Sequence, residues 1–364
     1  MYFKSIQARH FRNLSHVSID LSQRLNLFIG RNGHGKTNLL EAFYILCGFR
    51  SFRGARYKDL IEHHQTESQL ASIVDVGDVF HHVKVDILKQ KRHYFVDDKQ
   101  PKNLPTWVSH MSVVTFCPDD LMLIKGEPEL RRKFFDRLIF LINPEHLKHV
   151  LAYQKSLRAR NTLIKDKFFG RDYMLLDSFD ETLAQLATVI YCERKKWLSE
   201  ITPLVDEEIQ KITEGAHHLS IQYKTKIESE NVNDNLYQLV QKREEDIKKQ
   251  TTSFGIHFDD FEFYLSGHNA HQFCSQGEQR IITLAIKFAE MKLLQREKNF
   301  FPVLLLDDVA GELDEKRNSL LFELIYKTQG QVFIAGTDVP PLSLDSAFKT
   351  RLFDVFKGQV EPRL

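Results

Sequence analysis

The chain is 364 residues long, more than one ordinary domain holds and fewer than three large ones need. Hydrophobic residues make up 42 % and charged residues 27 %, the balance of a globular protein, so disorder does not dominate. Lys plus Arg is 50 and Asp plus Glu 49, a net charge of +1 that excludes a uniformly basic nucleic-acid coat but permits local basic faces.

Up to Ile29 the pattern is strand-like: Val17, Ile19 and Leu21 alternate with polar neighbours, and residues 25–29 form an apolar run that stops at Gly30. A glycine-rich stretch follows. Then Leu39, Leu40, Phe43, Leu46 and Cys47 recur at helical spacing, with Gly48 as the stop. Between residues 70 and 97, ASIVDV, HHVKVDIL and HYFV read as hairpin strands, with Gly77 and Asp78 as one turn. From residue 121 to about 249 the strand signal fades into Leu and Ile at helical spacing and dense mixed charge. Leu183, Leu186, Ile190 and Trp197 fall close to one helical face, and QKREEDIKKQ closes the region as a solvated helix or linker. Strand-like runs return at 258–265, 303–306, 332–335 and 352–356. The expected class is α/β: two mixed segments, 1–120 and 251–364, interrupted by a mainly helical insertion over 121–250.

GRNGHGKT, residues 30–37, fits G-x-x-x-x-G-K-[ST] and sits between a buried-type strand and an amphipathic helix, the context this phosphate loop needs. Its glycines let backbone N–H groups converge on phosphate oxygens, and the helix that follows adds its positive dipole end. Gly30, Arg31, Asn32, Gly33, His34, Gly35, Lys36, Thr37 and Asn38 are therefore the expected contacts to a nucleoside triphosphate. Lys36 would reach the β- and γ-phosphates, and the Thr37 hydroxyl would ligate magnesium. A chance glycine-rich turn would lack the flanking strand and helix.

PVLLLDDVAGELD, residues 302–314, is an apolar strand ending in two carboxylates. Asp307 is placed to hold the magnesium shell and Asp308 to orient an attacking water as general base. An aspartate reaches about one methylene less than a glutamate, so slow turnover is expected. In SQGEQRIITLAIKFAE, residues 275–290, Ser275, Gln276 and Gly277 precede a helix whose Ile281, Leu284, Ala285, Phe288 and Ala289 share a face. A Ser-x-Gly turn at a helix start can bind an anion. S-x-x-E is equally the signature of an ordinary capping box, and the cap reading would win if the stretch stood alone.

A phosphate loop near the start, a distant SQG helix, then LLLDD and GELD together resemble the ABC-type ATPases of the SMC and DNA-repair group. Length and detail are most similar to the RecF family of recombination mediators. The resemblance rests on FRNL (11–14), NGHGKTNLLEA (32–42), SFR (51–53), FCPDDLMLIKGEPELRRKFFD (116–136) and LLLDDVAGELD (304–314). It implies an ABC-type P-loop head built from both chain ends with an inserted helical arm. Ser275, Gln276 and Gly277 would then be the signature that contacts ATP held by the other subunit of an ATP-dependent homodimer, and GELD the loop crossing the same interface. It further implies single- and double-stranded DNA as ligand, work at gaps with RecR as partner, and help in loading RecA. Transporter-type relatives carry a switch histidine after the last core strand, where Ala335, Gly336 and Thr337 stand here. No Gln-loop glutamine can be placed; Asp119 or Asp120 is the candidate at that lobe junction.

The 237 residues from 38 through 274 exclude the long coiled coil of chromosome-organising relatives but leave room for a short arm. An ATPase subunit of a membrane transporter is the alternative, and it would couple its motifs at shorter range. A small-molecule kinase would leave SQG and GELD unexplained. Residues 1–60 carry ten Lys/Arg against three Asp/Glu and residues 121–170 eleven against five, so charge is segregated into basic stretches. Arg131, Arg132, Lys133, Arg158 and Arg160 on the arm, with Arg53 and Arg56 on the head, are the DNA-contact candidates. Weak sequence preference is expected because no aromatic residues interleave them.

Cys47, Cys117, Cys192 and Cys274 lie far apart, neither a disulfide framework nor a cysteine-only zinc site. His268, His271 and Cys274 are spaced three apart, yet tetrahedral zinc wants a fourth ligand and the trio abuts the SQG turn. No apolar run approaches the roughly 20 residues that span a bilayer. Lys4, Arg9 and Arg12 interrupt any signal-peptide core, so a cytoplasmic chain is expected.

Overall fold

Alternation at the start of the chain builds β1 (Tyr2–Phe3), β2 (Ser5–Phe11) and β3 (Leu14–Asp20), with Ile6, Ala8, Phe11, Leu14 and Val17 turned inward. The apolar run that follows is β4 (Leu25–Ile29), buried at every position as befits a central parallel strand. Next come α1 (Lys36–Leu46), β5 (Glu67–Val76), β6 (Val79–Leu88), β7 (Arg92–Val96), α2 (Leu104–Ser109) and β8 (Val113–Phe116). Gly77 and Asp78, joining β5 to β6, both take φ of 64°, the twist-matched geometry of a two-residue hairpin turn. This computed structural model describes residues 1–165, 173–308, 322, 325, 328–339 and 349–363.

The middle of the chain is mostly helical: α3 (Met122–Lys125), α4 (Pro128–Ile142), α5 (Glu145–Lys165) and α6 (Tyr173–Ile212). Beyond them lie β9 (Leu219–Lys224), α7 (Val232–Gln241), α8 (Arg243–Lys249), β10 (Asp260–Leu265), β11 (His268–Asn269) and α9 (Ala270–Phe273). The long α10 (Gln276–Lys298) leads to β12 (Val303–Asp307), β13 (Val332–Gly336), β14 (Thr350–Phe356) and β15 (Gln359–Pro362).

Two units form, one from Met1–Asp120 with Glu290–Leu364 and the other from Leu121–Ala289. In the first, an antiparallel sheet runs β3-β2-β5-β6-β7, with β1 also on β5. The second sheet of that unit runs β15-β14-β4-β13-β12-β8; it is parallel from β14 to β8 and takes β15 antiparallel at its edge. α1 joins the two sheets through its apolar face. The Phe43 ring sits 4.2 Å from Phe333 of β13 and 5.2 Å from Phe3 of β1, and Leu39, Leu40 and Leu46 belong to the same core.

The other unit is built on α5 and α6, the latter 40 residues and so about 60 Å long. Leu183, Ile190 and Trp197 are buried on α6 and Leu186 half-buried, the face their spacing indicates. Three expectations change here. A strand, β9, interrupts the region read as helical, and it pairs along its whole length with β10. That pairing draws the segment after residue 250 into this unit, which therefore runs on to Ala289. The stretch read as a solvated helix or linker is α8, but its Arg243 and Asp246 are buried.

Charge explains the last point. Arg160, fully buried, holds Asp180 at 2.6 Å and Asp246 at 2.7 Å, and Arg243 takes the second oxygen of Asp180 at 2.6 Å. A second cluster joins Arg194 to Asp136 at 2.8 Å and to Asp259 at 2.7 Å. Burial alone would raise Asp136, but Arg194 and His146 outweigh it and bring it down to about 2. Arg131 forms a two-pronged pair with Asp260 at 2.6 and 2.9 Å and is itself buried. Arg131 and Arg160 are thus structural residues and not DNA contacts: their guanidiniums are spent on internal carboxylates. Lys133, Arg158, Arg53 and Arg56 are exposed, and Arg132 is half-buried against the Asp259 carbonyl at 2.6 Å.

Candidate nucleotide-binding site

The strand β4 ends at Ile29 and the chain turns through residues 30–35 into α1, so the phosphate loop lies at the carboxyl end of a parallel strand. Gly35 takes φ of 113°, and a Cβ there would stand 2.8 Å from Asn13 Oδ1. A Cβ on Gly30 would meet the Val355 carbonyl oxygen at 2.2 Å. Both glycines are required by close approach.

Lys36 curls back over the loop. Its ammonium donates to the Gly30 carbonyl at 2.7 Å, the Arg31 carbonyl at 3.2 Å and Asn32 Oδ1 at 3.4 Å. It thus waits among weak acceptors that phosphate oxygens can replace. The Thr37 hydroxyl donates to Asp307 Oδ1 at 2.9 Å. β12 is not the hydrogen-bonded neighbour of β4; β13 lies between them, and Asp307 at the end of β12 still reaches the start of α1. Asp307 is buried, and burial, reinforced by Asp308, raises its carboxyl above the ordinary range despite the Thr37 hydrogen bond. Asp308 stands in the left-handed region at φ 53°, its N–H donating to the Ala335 carbonyl at 3.0 Å. That conformation is costly for a residue with a side chain and marks a position held by its surroundings.

These groups open onto a cavity of about 510 Å³ whose wall includes Arg12, Asn13, Lys36, Thr37, Arg53 and Asp308. Asn38 donates to Asn13 Oδ1 at 2.8 Å and accepts from Arg53 at 3.2 Å. Arg12 and Asn13 form the turn between β2 and β3, and Arg53 lies in the loop after α1. The sequence offered FRNL as a motif without a role and Arg53 of SFR as a DNA-contact candidate; their place on the cavity wall is what it could not give.

The other end of the chain backs the loop. The Gly358 N–H, in the turn between β14 and β15, donates to the His34 carbonyl at 2.9 Å. A Cβ on Gly358 would fall 1.9 Å from the Asn13 carbonyl oxygen. The His34 ring meets the Phe356 ring edge-on at 5.0 Å and the Val355 carbonyl at 3.2 Å.

A magnesium ion suits the donors present. Asp307 has a buried carboxylate, a hydroxyl beside it, a second carboxylate following it, and no Lys or Arg ion pair among the described residues. No three His, Cys, Asp or Glu side chains cluster to hold a metal among the described residues. Magnesium in phosphate sites takes one or two protein oxygens and completes its shell with water and phosphate, a demand the Thr37 hydroxyl and the Asp307 carboxylate can meet. His268 lies on β11 and His271 on α9, with Cys274 directly after that helix.

In the second unit, Ser275, Gln276 and Gly277 start α10 as an actual capping box. The Ser275 N–H donates to Glu278 Oε2 at 2.7 Å and the Glu278 N–H to Ser275 Oγ at 3.3 Å. The Ser275 hydrogen bond holds the Glu278 carboxyl below its usual range. Ser275 and Gln276 are exposed, so capping leaves them accessible. The face Ile281, Leu284, Ala285, Phe288 and Ala289 is buried. GELD, residues 311–314, lies outside the described residues.

Residues 2–108 match the family model described as the RecF/RecN/SMC N terminal domain. The chain is 35 % identical to the DNA replication and repair protein RecF of Lactobacillus acidophilus, over 99 % of this chain and 98 % of that one. It belongs to the RecF family. The RecF protein of Enterococcus faecalis is 33 % identical over 99 % of both chains. Among solved structures, the recombination mediator RecF with ATP, in the RecFOR pathway, superposes with a TM-score of 0.90 at 29 % identity, over 100 % of this chain and 99 % of that one. The Smc head of Pyrococcus furiosus matches at TM-score 0.56 and 17 % identity, a likeness of fold alone. The RecF-family chain is therefore an α/β P-loop ATPase head of the SMC-related kind. None of its described helices is long and apolar enough to cross a membrane.

Proposed function

We propose that this RecF-family chain is an ATP-controlled DNA clamp of replication and recombinational repair. The observation that carries the reading is the convergence of Lys36, Thr37 and Asp308 on one cavity of the first unit, with Asp307 hydrogen-bonded to the Thr37 hydroxyl. ATP lies along the loop of residues 30–38, with backbone N–H groups and Lys36 on its phosphates. Thr37 and Asp307 hold magnesium, which when bound neutralises phosphate charge and orients the terminal phosphate. Asp308 positions a water and accepts its proton, and its short side chain keeps turnover slow.

The signature residues Ser275, Gln276 and Gly277 belong to the other unit. In this reading they meet ATP held by a second protomer, with GELD at the same interface. ATP thus joins two copies, and the exposed Lys133, Arg158 and Arg56 offer phosphate contacts to single- or double-stranded DNA with little sequence preference, whereas Arg53 faces the nucleotide cavity. RecR is the expected partner and RecA loading the expected outcome, by kinship with the RecFOR pathway named for the solved relative. A cytoplasmic location fits that work, and the family membership leaves the transporter-subunit alternative without support.

Sedimentation of the protein with magnesium, with and without ATP, tests the reading beside Ser275→Arg. The wild type should dimerise only with ATP and the variant should stay monomeric. A wild type that binds ATP yet remains monomeric at every concentration would remove the trans role of the signature.

A further inference from the structure

Buried carboxylates in a nucleotide-binding unit are costly unless paired, and one in the first unit has no place in the chemistry described above. Glu41 lies on α1, four residues beyond Thr37 and so on the same helix face, and it is 0 % exposed. Arg12 grips it with both prongs, Nε to Oε2 at 2.9 Å and NH2 to Oε1 at 3.0 Å. The hydroxyl of Ser51, also buried, donates to Glu41 Oε1. The carboxylate therefore ties two separate chain segments to the helix that begins with Lys36 and Thr37.

Each segment carries part of the cavity wall. On one side, Arg12 occupies the left-handed region at φ 56°, a conformation unfavourable for an ordinary residue. The grip of Glu41, with an Arg12 NH1 bond to the Asp59 carbonyl at 2.8 Å, holds it there. The next residue, Asn13, reaches Asn38 at 2.8 Å and lies beside Gly35 of the phosphate loop. On the other side, Ser51 Oγ accepts the N–H groups of Arg53 at 3.1 Å and Ala55 at 3.2 Å, which fixes the loop from which Arg53 reaches Asn38 Oδ1 at 3.2 Å. Arg53 lines the same cavity as Lys36, Thr37 and Asp308.

We infer that Glu41 is a positioning residue of the nucleotide site: through Arg12 it sets the Asn13 turn, and through Ser51 it sets Arg53 against the bound phosphates. The inference rests on the ATP-binding reading of that cavity and adds to it a residue that touches neither nucleotide nor metal. A carboxylate is required because three donors converge on two oxygens; a glutamine would turn its NH2 toward one of the Arg12 or Ser51 donors.

The test is a double-mutant cycle read by calorimetric titration of the full chain with ATP and magnesium. Glu41→Gln should weaken ATP binding about tenfold, which is about 1.4 kcal/mol. Ser51→Ala, which removes only the relay to Arg53, should give a smaller loss in the same direction. Arg53→Ala should weaken binding too, and adding Ser51→Ala to it should cost nothing further, because the relay then has nothing left to position. Full additivity of those two losses overturns the relay and leaves Glu41 a plain structural group. Wild-type affinity in both Glu41→Gln and Ser51→Ala also overturns the inference. Should Glu41→Gln fail to fold, the Ser51 and Arg53 arms decide the matter alone. A wild-type chain that binds no ATP defeats the nucleotide reading itself, an outcome distinct from the others.

Discussion

Two clusters, one in each unit, treat buried charge in opposite ways. In the unit spanning Leu121–Ala289, Arg160, Arg243 and Arg194 each meet two carboxylates, and Asp136 is drawn down to about 2 by that company. In the other unit, Asp307 is buried beside Asp308 and, among the described residues, its carboxyl has only the Thr37 hydroxyl as hydrogen-bond partner, and it is pushed up. The first arrangement neutralises itself and needs nothing further. The second is incomplete until a cation and phosphates arrive, and that incompleteness is what separates a binding site from a scaffold.

Breaking the self-neutralised side should do the most damage. Arg160→Met leaves Asp180 and Asp246 buried with one guanidinium fewer, and should cost roughly 3–5 kcal/mol of stability in chemical denaturation. ATP affinity per folded molecule should not change; a matching loss of affinity would erase the contrast between the units.

Acid should find the same unit. His257 is buried, its Nε2–H donating to the Thr252 carbonyl at 3.2 Å and its Nδ1 accepting from the Tyr153 hydroxyl at 2.8 Å, and burial lowers its pKa to about 4. The unfolded chain takes up that proton near pH 6.5, so the neutral ring's contribution is complete above that pH. It is lost as pH falls toward 4, by up to about 3 kcal/mol. Melting curves between pH 7 and 4 should show that slope, and His257→Gln should flatten it. Equal slopes in both proteins would place the acid sensitivity elsewhere.

The smallest effect has the opposite sign. A carboxyl whose folded pKa is raised opposes folding once ionised, so Asp307→Asn should stabilise the nucleotide-free protein by something of order 1 kcal/mol. The same change should abolish the gain in ATP affinity that magnesium gives. A melting temperature that falls instead would show the carboxylate to be structurally satisfied.

How much of this was legible in the residues depends on how far each interaction reaches along the chain. The phosphate loop is a local object: strand, glycines and helix start lie within about fifteen residues, and its reading needed no partner. The strand ending at Asp307 was legible as an apolar run with carboxylates, though not the strand β13 between it and β4. Arg160 shows the opposite case. Its partners stand 20 and 86 residues away, so a local charge count placed it on a basic face when it lies in the core. β9 was hidden by its densely charged, helix-rich neighbourhood, and only its pairing with β10 makes it a strand. Glu41 lies within the NGHGKTNLLEA block, but its role was not legible there, because its partners Arg12 and Ser51 come from separate segments before and after α1.

The turn at Gly358 that backs His34 has a consequence in time. The phosphate loop leaves the ribosome early, but the backbone that supports it is made more than three hundred residues later. A growing chain therefore carries the nucleotide motif through all of that interval without this support. A product released before Gly358 would contain the motif but not the turn that backs it.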